Sequence, residues 1–173
     1  MTSTQGFPGA LGFLHLNDCI RKYPSQRQSP LHLLCVEWAA AAIMMHDMCK
    51  IYWGKSDVPD PTPQNPFLRL SFDRDPLSSI VTLTDVIQDF ERPAAVFASG
   101  KKLVALRYAM GCSGAELQLD GRGLTIEYVM NNDESRAIKR KSLKKERRDY
   151  FDAQYGYLDM SSLGISNVQI LVR

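Results

Sequence analysis

Several frameworks are missing from this sequence. Only four cysteines occur in 173 residues, Cys19, Cys35, Cys49 and Cys112, widely spaced and without a C-x-x-C pair. That speaks against a disulfide framework and for reduced thiols in a cytoplasmic protein. No apolar run reaches membrane-spanning length, since the longest, Leu31–Met45, is interrupted by Glu37. The opening residues, MTSTQGFPGALG, lack the basic start and long apolar core of a signal peptide. The expected location is therefore cytoplasmic, with no membrane partner. Net charge is also scarce: +2 is too small to name a partner. No internal repeat occurs.

The 19.5 kDa chain is 45% apolar, which suits one ordinary domain, or a core domain with a small appendage. Residues 7 to 19 read as a short helix with Pro8 in its first turn. Ser29 followed by Pro30 is a cap-then-proline helix start, and the spacing predicts a helix from Pro30 to about Tyr52. This helix is apolar on most sides, so it is expected to be central, with Trp38 and Trp53 as core or pocket-wall residues. Gly54 to Pro66 is a proline-punctuated loop. Asp75-Pro76 repeats the start signal before a helix with Leu77, Ile80, Val81, Thr84 and Ile87 at helical spacing. Another helix is predicted over Ala94 to Tyr108.

The pattern changes after Cys112. ELQLDGRGLTIEYVM alternates around a Gly-containing turn, as a hairpin does, so the DGRG segment reads as a turn rather than a phosphate loop. A charged helix is predicted from about Glu134 to Tyr155, with Gly156 as terminator and Ile138, Tyr150, Phe151 and Tyr155 inward. NVQILVR reads as a final strand. The expected class is mainly α: a helical domain over residues 1–112 and a small α+β appendage of β-β-α-β order over 113–173.

Chemistry concentrates at AAAAIMMHDMCK, Ala39 to Lys50. His46 and Asp47 are adjacent on the predicted helix and can converge on one ion at its edge, with Lys50 a turn below, where a bound anion needs a cation. Asp85, inside an otherwise apolar helix, is costly to bury unless paired or bound to metal. Two carboxylates and an imidazole suit Mn, Fe, Mg or Zn. The same residues are compatible with a chance His-Asp pair and with Asp85 on a solvated face beside Asp89. A shared zinc between His32/Cys35 and His46/Cys49 is excluded on one helix. The two pairs would stand about 21 Å apart at 1.5 Å per residue, so each Cys reads as a small core residue.

In this order the motifs resemble the HD superfamily of metal-dependent phosphohydrolases. MMHDMCK resembles its H-D-x-x-K segment, and DPLSSIVTLTDVIQDFERP resembles its later helix with a lone Asp. The likeness spans roughly residues 3 to 95. It implies an HD-like helical domain in which His46, Asp47 and Asp85 bind a divalent metal while Lys50 and Asp47 serve the reaction. The family's first ligand is a His in an H-G-x-x-x-A setting. Here QGFPGAL occupies that setting, so the implied ligand is Gln5, a weaker donor. His15, about 15 Å further along a continuous helix, is no substitute. The implied activity is hydrolysis, or binding without cleavage, of a phosphate ester or nucleotide. A degenerate regulatory or protein-interaction module is the alternative. A third reading is nucleic-acid binding through the basic run Arg136–Arg148, set against a solvated helix face with Glu146 tempering the run.

Overall fold

The structure is a computed structural model and describes residues 6–22, 29–54, 62–88 and 111–173. By its internal contacts the chain divides into two compact units, Met1–Thr82 and Leu83–Arg173. The division falls between Thr82 and Leu83, upstream of the 112/113 boundary that composition suggested. The predicted helix over Ala94–Tyr108 lies outside the described residues.

In the first unit, α1 (Gly6–Arg21) packs on α2 (Pro30–Met45). Ser29 caps α2 as its sequence requires, its hydroxyl accepting from the His32 backbone N–H at 3.2 Å while Pro30 starts the helix. The buried positions are mostly small: Ala10 from α1, and Val36, Ala40 and Ala42 from α2. A Cβ at Gly9 would lie 3.4 Å from Ile43 Cγ2, an ordinary van der Waals contact, so α1 meets α2 there.

The expectation that α2 is central is therefore corrected. Val36 and Ala40 share a buried face and Ala42 is buried on another side near the C-terminal end, while large side chains of the first half point outward. Leu31, Leu34, Cys35 and Trp38 form an exposed stripe at i, i+3, i+4 and i+7, and Trp38 is 63% exposed. Cys35 is thus not a core residue, whereas Cys49 is.

The long helix is corrected too. It stops at Met45, turns at His46–Met48, and restarts as α3 (Cys49–Trp53). After the short strand β1 (Leu70–Ser71), α4 (Pro76–Ile87) begins on the expected Asp75 cap, whose Oδ1 accepts from Ser78 N–H at 3.1 Å. Its burial reverses the predicted face. Ser78, Ser79 and Thr82 are buried with Ile87, while Leu77 and Ile80 are exposed. The helix backbone accepts the hydroxyl proton at Ser79, whose Oγ donates to the Asp75 carbonyl at 2.7 Å, whereas Thr82 Oγ1 is buried without a hydrogen-bond partner among the described residues.

The second unit holds the β-β-α-β order read from the sequence. Strands β2 (Cys112–Asp120) and β3 (Gly123–Met130) form an antiparallel hairpin in which Asp120 pairs with Gly123. Gly121 has φ 57°, the left-handed conformation this two-residue turn requires. After β4 (Leu158–Asp159), β5 (Asn167–Val172) runs parallel to β3, giving the order β2-β3-β5. Leu124, Ile126, Tyr128 and Met130 alternate along β3 as its buried face. Each such side chain stabilises the unit by about 1.5–3 kcal/mol.

Helix α5 (Asp133–Glu146) is capped by Asn132, whose Oδ1 accepts from Ser135 N–H at 2.8 Å. One wider turn follows, Arg147–Phe151, and there the helix ends, short of the predicted Tyr155. Tyr155, expected inward, is exposed, and Phe151 is buried as expected. Gly156 serves the next turn. Its N–H donates to the Asp152 carbonyl at 2.8 Å, and a Cβ there would meet the Asp152 backbone at 2.6 Å. Among the described residues no helix is long and apolar enough to cross a membrane.

Candidate functional site

The His-Asp pair occupies the break between α2 and α3. His46 closes α2 with φ −60° and ψ −27°, and its backbone N–H donates to the carbonyls of Ala42 and Met44. Asp47 N–H reaches Met44 O at 3.4 Å and Met48 N–H reaches Met45 O at 3.0 Å, so the turn is tightened to i+3 bonds before α3 resumes. Two side chains that a continuous helix would point about a hundred degrees apart are therefore set on a turn.

His46 is half-buried, and its Nδ1 bonds to the Ile43 carbonyl. A carbonyl oxygen only accepts, so Nδ1 must carry the proton. In the neutral ring this leaves the Nε2 lone pair for another partner. A backbone bond on one ring nitrogen is the usual way in which an imidazole ligand is held in one tautomer and one orientation. Asp47 lies beside it with its side chain 19% exposed, and the Lys50 ammonium stands 3.6 Å from its carboxylate at 55% exposure.

The support beneath this edge is apolar and rigid. Cys49, Tyr52 and Trp53 are buried, and the Tyr52 and Trp53 rings meet edge to face at 5.5 Å. The returning chain closes the end of α3. Gln64 and Asn65 N–H donate to the Tyr52 carbonyl at 2.9 and 3.2 Å, and the Asn65 amide donates to the Ile51 carbonyl at 2.6 Å. Gly54, at φ 66°, makes room for the Gln64 side chain, which a Cβ would strike. The returning Gln64–Asn65 segment thus fixes the short helix that carries Lys50.

The other two expected donors stand apart from this description. Asp85 is exposed near the end of α4 and belongs to the second unit. Gln5 lies outside the described residues. Among the described residues, no three His, Cys, Asp or Glu side chains are grouped to hold a metal ion. The helix break offers two donors, His46 and Asp47, which falls short of the three or four protein ligands of a resident transition-metal centre.

Sequence inspection missed one polar constellation, in α5. Lys139 is fully buried, and its ammonium lies 2.7 Å from Glu146 Oε2 and 3.9 Å from the centre of the Tyr128 ring. Ser142 Oγ donates to Glu146 Oε1 at 2.6 Å. The signal was present in the spacing: Ser135, Lys139, Ser142 and Glu146 recur at intervals of four, three and four, which is one helix face. Comparison of the chain with protein-family models, with curated proteins and with solved structures gives no match.

Proposed function

We propose that this chain is an HD-like domain, descended from metal-dependent phosphohydrolases, that binds a phosphate ester or nucleotide together with a divalent cation at the helix break. The observation that carries this reading is the His46 Nδ1 bond to the Ile43 carbonyl, which leaves the Nε2 lone pair for another partner one residue from Asp47. Two protein donors suit a hydrated ion that arrives with its phosphate, as Mg or Mn does when one or two side chains and substrate oxygens share it. His46 and Asp47 would hold the ion, and Lys50 would exchange its carboxylate partner for the phosphate oxygens. A bound ion polarises the phosphoryl oxygen and acidifies a coordinated water. Hydrolysis would further call on Asp85 and Gln5 as the remaining ligands that the resemblance implies.

The second reading is a catalytically degenerate module of the same fold. It is favoured by Gln at position 5, where the family carries His, and by the two-donor count at the break. Depletion of the free Mn(II) paramagnetic signal beyond that of protein-free controls, measured with and without ADP, separates the two. Ligand binding predicts depletion that deepens with ADP and is lost in His46→Ala and in Asp47→Asn. Further loss in Asp85→Ala supports the full ligand set. An unchanged signal in wild type leaves the degenerate module.

A further inference from the structure

The charge of α5 is distributed differently from what its sequence suggests. Glu146, the carboxylate that should temper the basic run, is committed to the buried Lys139. Asp149, buried, accepts from the Arg148 guanidinium. The exposed cations Arg140, Lys141, Lys144, Lys145 and Arg147 are left without an ion-pair partner among the described residues. At 100° per residue these five fall within about 160° of arc, so they share one side of the helix.

That side is also held firmly. The opposite face is fixed by Ser135 and Lys139, both buried, by the Asn132 cap and by the bond of Ser142 to Glu146. Lysines and arginines in the last turn complement the helix dipole, but that effect reaches only the final turn and explains two or three of the five.

We infer that the exposed face of α5 binds the phosphate backbone of a nucleic-acid duplex without reading sequence. The five cations form one uncompensated row among the described residues. What accompanies the row points to a duplex. The exposed residues of α5 include no large apolar side chain, which an interfacial membrane helix requires. They include no aromatic ring on which single-stranded bases would stack, and no Asn or Gln to pair with adenine edges. Every exposed polar group of the row is a cation, the residue type that contacts phosphates. This inference is independent of the phosphate site at the helix break.

The test is fluorescence anisotropy of the full chain with 20-base-pair DNA and RNA duplexes of two unrelated sequences, titrated across salt. Four to five phosphate contacts predict a slope of log K against log salt of about −4, or about 250-fold weaker binding between 50 and 200 mM. Both sequences should give the same affinity. Removing three contacts in Lys144→Gln/Lys145→Gln/Arg147→Gln should flatten the slope to about −1.3. The pair Lys22→Gln/Arg74→Gln, which removes charge elsewhere, should leave it unchanged, and circular dichroism checks that each variant is folded. Absence of duplex binding at 50 mM salt overturns the inference, as does an unchanged slope in the folded triple variant. Binding to vesicles containing phosphatidylserine with none to duplex also overturns it.

Discussion

The sheet of the second unit and the α1–α2 pair of the first bury different kinds of residue, although the first unit also encloses Tyr52, Trp53, Leu70 and Phe72. In the second, Ile126, Tyr157 and Leu158 are fully buried, and so is Lys139. In the first, α1 and α2 leave Leu11, Leu16, Leu31, Leu34 and Trp38 exposed while burying alanines. A lysine is inside and a tryptophan outside. The difference teaches that partners, and not hydrophobicity alone, decide burial. Lys139 has a carboxylate at 2.7 Å and an aromatic face for its ammonium, so its charge is balanced where it lies. Trp38 lies on the side of α2 opposite Val36 and Ala40.

The strongest way to break this comparison is at the centre of the sheet. Ile126→Ala empties a fully buried site, and urea unfolding of the second unit should show a loss of about 4 kcal/mol. A loss under about 1 kcal/mol would mean that β3 is not the core. Next comes Lys139→Ala, which empties a fully buried site and removes the ammonium that lies over Tyr128 and pairs with Glu146. It should cost about 3 kcal/mol, while Lys139→Met, which keeps the stem, should recover part of that if packing dominates. In the first unit the expected effects are smaller. Ser29→Ala removes the α2 cap and should cost about 1 kcal/mol, read from helical ellipticity on thermal unfolding.

Trp38→Gln should then change stability by less than about 0.5 kcal/mol, as an exposed position does. A loss above about 1 kcal/mol would show that something covers the α2 stripe, and the contrast between the units would fall. The smallest effect is at a surface turn. The Ser71 hydroxyl, donating to Asp73, holds that carboxyl below its ordinary value. A depressed folded value stabilises above the ordinary carboxylate range and is lost as pH falls through the folded value. In Ser71→Ala the Asp73 carboxyl should titrate higher, as carbon-detected NMR would record.

Local signals were legible and tertiary ones were not. Ser29-Pro30 and Asp75-Pro76 were readable as helix starts because a cap is a contact across three residues. Gly121 and the alternation beside it were readable as a hairpin for the same reason. The break at His46 carries no proline or glycine and was invisible. It accompanies the anchoring of α3 by Gln64 and Asn65, more than ten residues away. Burial of α2 was illegible because a helix apolar on most sides has no period that marks its inner face. Lys139 was hidden by its basic neighbours. At the candidate site, His46, Asp47 and Lys50 were legible as one edge because adjacency in sequence keeps them together, whereas Gln5 and Asp85 could be joined to it only through the family resemblance.

The central claim is that the helix break presents one imidazole to a divalent ion. It is tested most directly by nitrogen-15 NMR of the three histidines, His15, His32 and His46, with and without Mn(II) and ADP. The account predicts that neutral His46 is protonated at Nδ1 and that Mn(II) with ADP broadens His46 and Asp47 while sparing His15 and His32. A proton on Nε2 of His46, or broadening that fails to select it, would contradict the account.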